Sequence, residues 1–163
     1  MKKLLTIFIY FVFTIAHAQT GLGIDKPNYS LTPGSSMTDN LNVICVSGYS
    51  ATVRNVSEGL KQKVYKLYSV PKNERGSENG IEISKIDHLI PLAIGGSNDI
   101  TNLWPHYYNT QSGMGVLKKN IIENTLHRKV CQNEIEIHEA WKCIALDWQS
   151  CYYKHVPLKQ QIK

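Results

Sequence analysis

The apolar positions of this chain change period several times, and each change marks an element. Leu4 to Ala16 is an unbroken apolar or weakly polar run, preceded by Lys2 and Lys3 and followed by Ala16-His17-Ala18. From Gln19 to about Asn40 no apolar period survives among Gly, Ser, Pro and Asn, which predicts a mobile arm. Leu41 to Val53 gathers apolar residues around Cys45 and a Gly48-Tyr49 turn, most simply a short strand and loop. Ser57 can cap a helix running to about Tyr68, with Leu60, Val64 and Leu67 on one face. Pro71 ends it, and Lys72 to Gly80 is a polar loop.

Ile81, Ile83, Ile86, Leu89 and Ile90 predict a strand that Pro91 breaks and that resumes weakly through Leu92 and Ile94 to a Gly95-Gly96 turn. The result is a hairpin or an irregular ribbon. Asn102-Leu103-Trp104-Pro105 leads into a loop punctuated by Gly up to Gly115. A helix from about Val116 to Cys131 follows, its inward stripe being Leu117, Ile121, Ile122, Leu126 and Val130. Asn133 with Glu136 three residues on resembles a capping box for a last helix, Glu134 to about Gln149, with Ile137, Trp141, Ile144, Ala145 and Trp148 inward.

The first apolar run reads as a secretory signal, residues 1–18, with cleavage near Gln19. It is shorter than the roughly 20 residues that cross a bilayer, and nothing downstream looks like a second span. The mature product is therefore expected outside the cytoplasm, periplasmic or secreted, with no membrane attachment after signal removal. Composition narrows the class further. At 163 residues, 19% charged and 42% hydrophobic, the chain has enough apolar material for one core and too much to be disordered. Taking Lys2 and Lys3 from the 18 basic residues leaves 16 against 13 acids, a net +3 that permits a polyanionic partner without requiring one.

Cys45, Cys131, Cys143 and Cys151 are an even number in a compartment where disulfides persist. Of the three possible pairings the favoured one joins Cys45 to Cys131 and Cys143 to Cys151. The second bridge carries a condition. Eight residues of continuous helix span about 12 Å, beyond disulfide reach, so the last helix must break before Cys151.

The densest chemical signal is IDHLIPLAIGGSNDITNLWP, residues 86–105, followed by KNIIENTLHRKVC, residues 119–131. An Asp-His pair joined to Pro91, Gly95-Gly96, Asn102-Leu103 and a later helix bearing His127 resembles the HNH group of ββα-metal nucleases, in particular small exported bacterial proteins with an HNH-type core. The resemblance runs from Cys45 to about Trp148. It implies an α+β fold with a ββα-metal core, flanking helices and disulfide bracing, one domain over residues 41–163 after a flexible arm, 19–40. It also implies a metal-dependent endonuclease that acts on nucleic acid, DNA before RNA, with one divalent ion, Mg²⁺, Mn²⁺ or Zn²⁺.

The residue types suit that chemistry. A phosphodiester repels an attacking hydroxide, and a divalent ion relieves the repulsion. Asp87 can hold such an ion through a hard carboxylate oxygen, and His88, with an ordinary pKa near 6.5, can take a proton from water, so that turnover is expected to decline below about pH 6. Neighbouring strand residues face opposite ways, so both reach one phosphate only if the backbone bends there. Glu123, Asn124 and His127 share one side of a helix. By the resemblance His127 is the first choice as the helical ligand, then Glu123, with Asn124 a competitor, and Asn102 fixes the loop and orients His88.

Blander roles stand beside these. His106 is an alternative ligand or a solvated loop residue, Glu123 a surface partner of Lys119 or His127, and Arg54 a phosphate contact or a simple ion-pair partner. Lys118, Lys119, Arg128 and Lys129 can contact phosphate or form a solvated helix face. Trp104, Trp141 and Trp148 read as core anchors. The competing function is a non-catalytic exported module on the same scaffold, binding nucleic acid or a partner protein; no particular protein partner is inferable.

Overall fold

The structure, a computed structural model, describes residues 23–161. The expected secretory signal at 1–18 and the first residues of the expected arm lie outside them. The fold is α+β: two small hairpins, three main helices and two disulfides. In chain order the elements are α1 (Leu41–Ile44), α2 (Tyr49–Val53), α3 (Glu58–Leu67), β1 (Ser77–Glu78), β2 (Ile81–Glu82), β3 (Ser84–His88), β4 (Leu103–Tyr107), α4 (Val116–Cys131), α5 (Ile137–His155) and α6 (Leu158–Gln161). No helix among the described residues is long and apolar enough to cross a membrane.

Residues 23–40, expected to be mobile, are laid along the domain. Gly34 and Met37 donate backbone bonds to Thr101 and Gly95, and the fully buried Thr32 hydroxyl donates to the Leu103 carbonyl at 2.9 Å. A segment without apolar period can still be held where its polar groups find fixed partners. Leu41–Val53, expected as strand and loop, is instead two short helices; Asn40 caps the first by accepting from the Asn42 N–H. Ser57 caps α3 as expected, its hydroxyl accepting from the Leu60 N–H at 3.2 Å. Ser57→Ala is expected to cost about 1 kcal/mol, read as a lowered midpoint in thermal or urea unfolding.

The ribbon is β3 paired antiparallel with β4, from Ser84 opposite Tyr107 to His88 opposite Leu103. The sequence reading ended at a loop after Asn102 and missed β4, because Pro105 cannot donate to a ladder. In a two-stranded ribbon every strand has a free edge, so that missing donor is tolerated. Leu89 to Asn102 closes the ribbon as a long loop containing a 3₁₀ turn, Leu92–Ile94. Gly95 follows at φ +83°, where an added Cβ would run into the Thr38 carbonyl oxygen.

α4 has the expected bounds. Its buried stripe is shifted: Val116, Lys119, Ile122, Thr125, Leu126 and Val130 face inward, Ile121 is half-buried and Leu117 is 66% exposed. The capping box is absent. Asn133 takes a left-handed conformation, φ 56°, and terminates α4, and α5 starts later with Glu136 at its N-cap. Cys45 joins Cys131 and Cys143 joins Cys151. The geometric condition on the second bridge is met at Asp147, whose φ −161° and ψ 95° break α5 and bring the two Cα atoms to 5.4 Å. Ile122, Leu126, Ile144, Trp148 and Tyr152 are the centre of the core, between α4 and α5.

Candidate functional site

Register decides which side chains can meet. Residues directly opposite in an antiparallel ladder share a face. One face of the ribbon therefore carries Lys85, Asp87, Trp104 and His106, and the other carries Ser84, Ile86, His88, Pro105 and Tyr107. The ladder is regular through His88, so Asp87 and His88 approach from opposite faces and no bend turns them to one side.

On the first face Asp87 is almost wholly buried, and both its oxygens are answered by cations or ring nitrogens. Oδ1 lies 3.4 Å from Lys85 Nζ; Oδ2 lies 3.1 Å from His106 Nδ1 and 3.6 Å from Lys119 Nζ. Burial alone raises the Asp87 pKa, but Lys119, His106 and Lys85 together outweigh it and hold the carboxyl well below its ordinary range. Lys119 is itself fully buried. Its ammonium donates to the His88 carbonyl at 2.6 Å and to Glu123 Oε1 at 2.5 Å, and although burial depresses its pKa, Asp87 and Glu123 leave it raised. His106 is a core residue rather than a solvated one, stacked on Trp104 with centroids 4.3 Å apart, and its Nε2 faces the Met114 carbonyl.

On the second face His88 Nε2 lies 3.1 Å from Asn98 Oδ1. The orientation of that amide is fixed twice, since Asn98 Nδ2 donates to the Val53 carbonyl and Oδ1 accepts from the Asn55 N–H. His88 must therefore carry its hydrogen on Nε2, which leaves the Nδ1 lone pair free to take a proton. Burial is the main reason that the ring's pKa falls to about 4, with Arg54 and Lys119 adding to it and the Asn98 bond and Asp87 opposing.

Asn102 is buried completely and spans the loop: Oδ1 accepts from the Ile90 N–H, and Nδ2 donates to the carbonyls of Ile90 and Ser97. It fixes the loop as the resemblance implied, but the group that contacts the His88 ring is Asn98.

The helical residues divide. Glu123 and Asp87 flank the same ammonium, whereas His127 sits eight residues further along α4 than Lys119, about 12 Å, with its Nε2 facing the Ile44 carbonyl at 3.3 Å. The structure does not bring His127 and Asp87 around a common point. Asn124 is exposed and lines a different recess with Arg128 and Pro157. Asn120 is the residue the sequence reading passed over: its Oδ1 accepts from Lys85 Nζ at 3.3 Å, so Asp87 and Asn120 present two hard oxygens to one cationic nitrogen. Its place one turn before Glu123 and Asn124 on the same helix was the available signal.

The basic cluster also divides. Lys119 is buried, Lys118 donates to the Gln161 carbonyl, and Arg128 and Lys129 pair with Glu134. Among the described residues the one group of three metal-binding side chains is Cys143, Cys151 and His155, and its two cysteines are joined to each other.

The chain matches no family model, no curated protein and no solved structure. Function rests on the geometry above and on the motif.

Proposed function

We propose that the chain is an exported HNH-like nuclease that hydrolyses phosphodiester bonds of nucleic acid. The observation that carries this reading is His88: a buried imidazole, kept neutral, with one nitrogen locked onto Asn98 and the other free to accept a proton. His106, stacked in the core, differs in having both nitrogens engaged. The signal sequence and the two disulfides agree with an oxidising compartment.

The donor set fits a hard divalent ion, because Asp87 and Asn120 already hold a positive charge between two oxygens. In this reading Asp87 and Asn120 are its ligands in the place of the Lys85 ammonium, whose side chain is 34% exposed and free to move outward. With no imidazole in that pair, Mg²⁺ or Mn²⁺ suits it better than Zn²⁺. When bound, such an ion neutralises the phosphate and stabilises the leaving oxygen. In this reading the substrate phosphate straddles the edge of β3 that β4 leaves unpaired, with Asp87 and Lys85 on one face of the ribbon and His88 on the other. There Lys85 and Arg54 attract the phosphate, His88 Nδ1 removes the proton of the attacking water, Asn98 holds the ring, and Asn102 holds the loop that carries Asn98.

One observation favours a second reading, a non-catalytic module. Lys85, Lys119 and His106 already neutralise Asp87, so the site is electrostatically closed without an ion. Mature protein incubated with plasmid DNA or RNA separates the two. Nicking that requires Mg²⁺ or Mn²⁺, stops with chelator and fails in Asp87→Asn is the expected outcome. Firm binding without cleavage across Mg²⁺, Mn²⁺ and Zn²⁺ would replace the nuclease by the module.

A further inference from the structure

Between α3 and the ribbon lies a cleft of about 500 Å³, within the span of roughly 300–1,000 Å³ typical of small-ligand sites. Arg54, Lys61, Arg75 and Lys85 line it, with Glu58, Glu82 and Tyr108. Most of these charges have partners. Glu58 accepts from Lys61 and Gln62, and Arg75 donates to the Val70 carbonyl while lying over the Tyr65 ring. Arg54 is exposed and makes no hydrogen bond or ion pair among the described residues.

The position of Arg54 follows from the clamp that holds His88. Its two chain neighbours, Val53 and Asn55, both bond Asn98, and Asn98 bonds the His88 ring. His88 also belongs to the face of the ribbon that carries Ser84 and Ile86, both of which line the cleft. Lys85, which also lines the cleft, touches Asp87. The lining of the cleft therefore includes an unpaired guanidinium, flanked in the chain by both anchors of the amide that holds the His88 ring, and an ammonium that contacts Asp87.

We infer that this cleft takes one unpaired nucleotide of the substrate strand, with Arg54 and Lys85 on its phosphate and Tyr108 offering a ring to its base. The inference deepens the nuclease reading and rests on it. Two cations beside an aromatic ring match the phosphate and the base of a single strand. Glu58 and Glu82 repel a second phosphate, so the recess suits one nucleotide and not a track of backbone. A base within a duplex could enter only after being flipped from its stack, at the cost of pairing and stacking.

Fluorescence anisotropy of the intact mature chain tests this, with a labelled short DNA oligonucleotide, single-stranded or annealed to its complement, in chelator so that nothing is cut. The single strand is expected to bind about tenfold more tightly than the duplex, the order of effect of one stacked base. Arg54→Ala, an exposed position where folding is not at stake, is expected to remove most of that preference and lower the salt slope by about one charge. Tyr108→Leu should weaken the single strand alone, and Lys142→Ala on α5 should change neither. Equal affinity for both forms, or an unaltered preference in Arg54→Ala, overturns the subsite. The two proposals fail separately. Plasmid nicking without single-strand preference leaves the nuclease and removes the cleft's role; Arg54-dependent single-strand binding without nicking does the reverse.

Discussion

Lys119→Met is expected to destabilise the protein by about 3–5 kcal/mol, measured as a lowered urea midpoint at pH 7. The side chain is wholly buried in α4, and its ammonium answers the His88 carbonyl, Glu123 and Asp87 together. Methionine fills similar space, so the loss comes from charge and not from a cavity. Asp87 would then keep only His106 and the partly exposed Lys85 against the cost of a buried carboxylate. Coupling gives the control: with Asp87→Asn already in place, Lys119→Met should cost clearly less than it does alone. The pH dependence carries a sign as well. The Asp87 pKa is lowered on folding, so its contribution is complete above the ordinary carboxylate pKa and is lost as pH falls from about 4 toward the lower folded value. The gap between wild type and variant should narrow over that acid range. A loss below about 1 kcal/mol at pH 7 would mean that Lys119 is not the counter-ion of this carboxylate.

What the chain's pattern made legible was local and periodic. The bounds of α4 and the Ser57 cap of α3 follow from spacing, the favoured pairing of the cysteines carries its own geometric condition, and each is present. The inward stripe of α4 misled at Leu117 and Lys119 because a lysine reads as solvent-facing and a leucine as core. Lys119 is inside only because Asp87 and Glu123 await it, and Leu117 is outside because that helical register leaves it no room. No periodicity encodes a partner 32 residues away in the chain. β4 was hidden by Pro105, and α1 and α2 by a segment too short for any period to emerge.

The candidate site divides in the same way. Asp87-His88 and the loop-fixing Asn102 were marked by motif and lie where the ribbon turns into its long loop. The residue that holds the imidazole, Asn98, sits between Ser97 and Asp99 with nothing in the local pattern to mark it. Its role appears only when the chain from Val53 to Asn55 folds against it. His127 is favoured by the resemblance and shares a helical face with Glu123 and Asn124, yet a face fixes an azimuth and not a height. At about two turns from Lys119 it reaches Ile44, while Asn120, one residue from Lys119, reaches Lys85.

His88→Ala is expected to reduce phosphodiester cleavage by about 10²–10⁴-fold, the usual contribution of a positioned base, with substrate binding little changed. The pH profile is the sharper measurement. From an ordinary histidine pKa activity would fall below about pH 6, but burial lowers this ring to about 4, so the acid limb of kcat/KM should lie near pH 4 and activity should hold between pH 6 and 5. Asn98→Ala removes the carbonyl that favours the protonated ring and fixes its tautomer, so it should lower kcat while binding persists. The same depressed value makes a prediction about folding. A histidine that is neutral when folded and takes up a proton when unfolded contributes its full stability above about pH 6.5, and loses it as pH falls toward 4. A shift of that size corresponds to about 3 kcal/mol. His88→Ala should therefore flatten the stability curve between pH 6.5 and 4 while leaving cleavage low throughout. An acid limb at pH 6 in a protein still folded by circular dichroism would show that burial does not lower the ring's pKa to about 4, and cleavage undiminished in His88→Ala would remove it as the base.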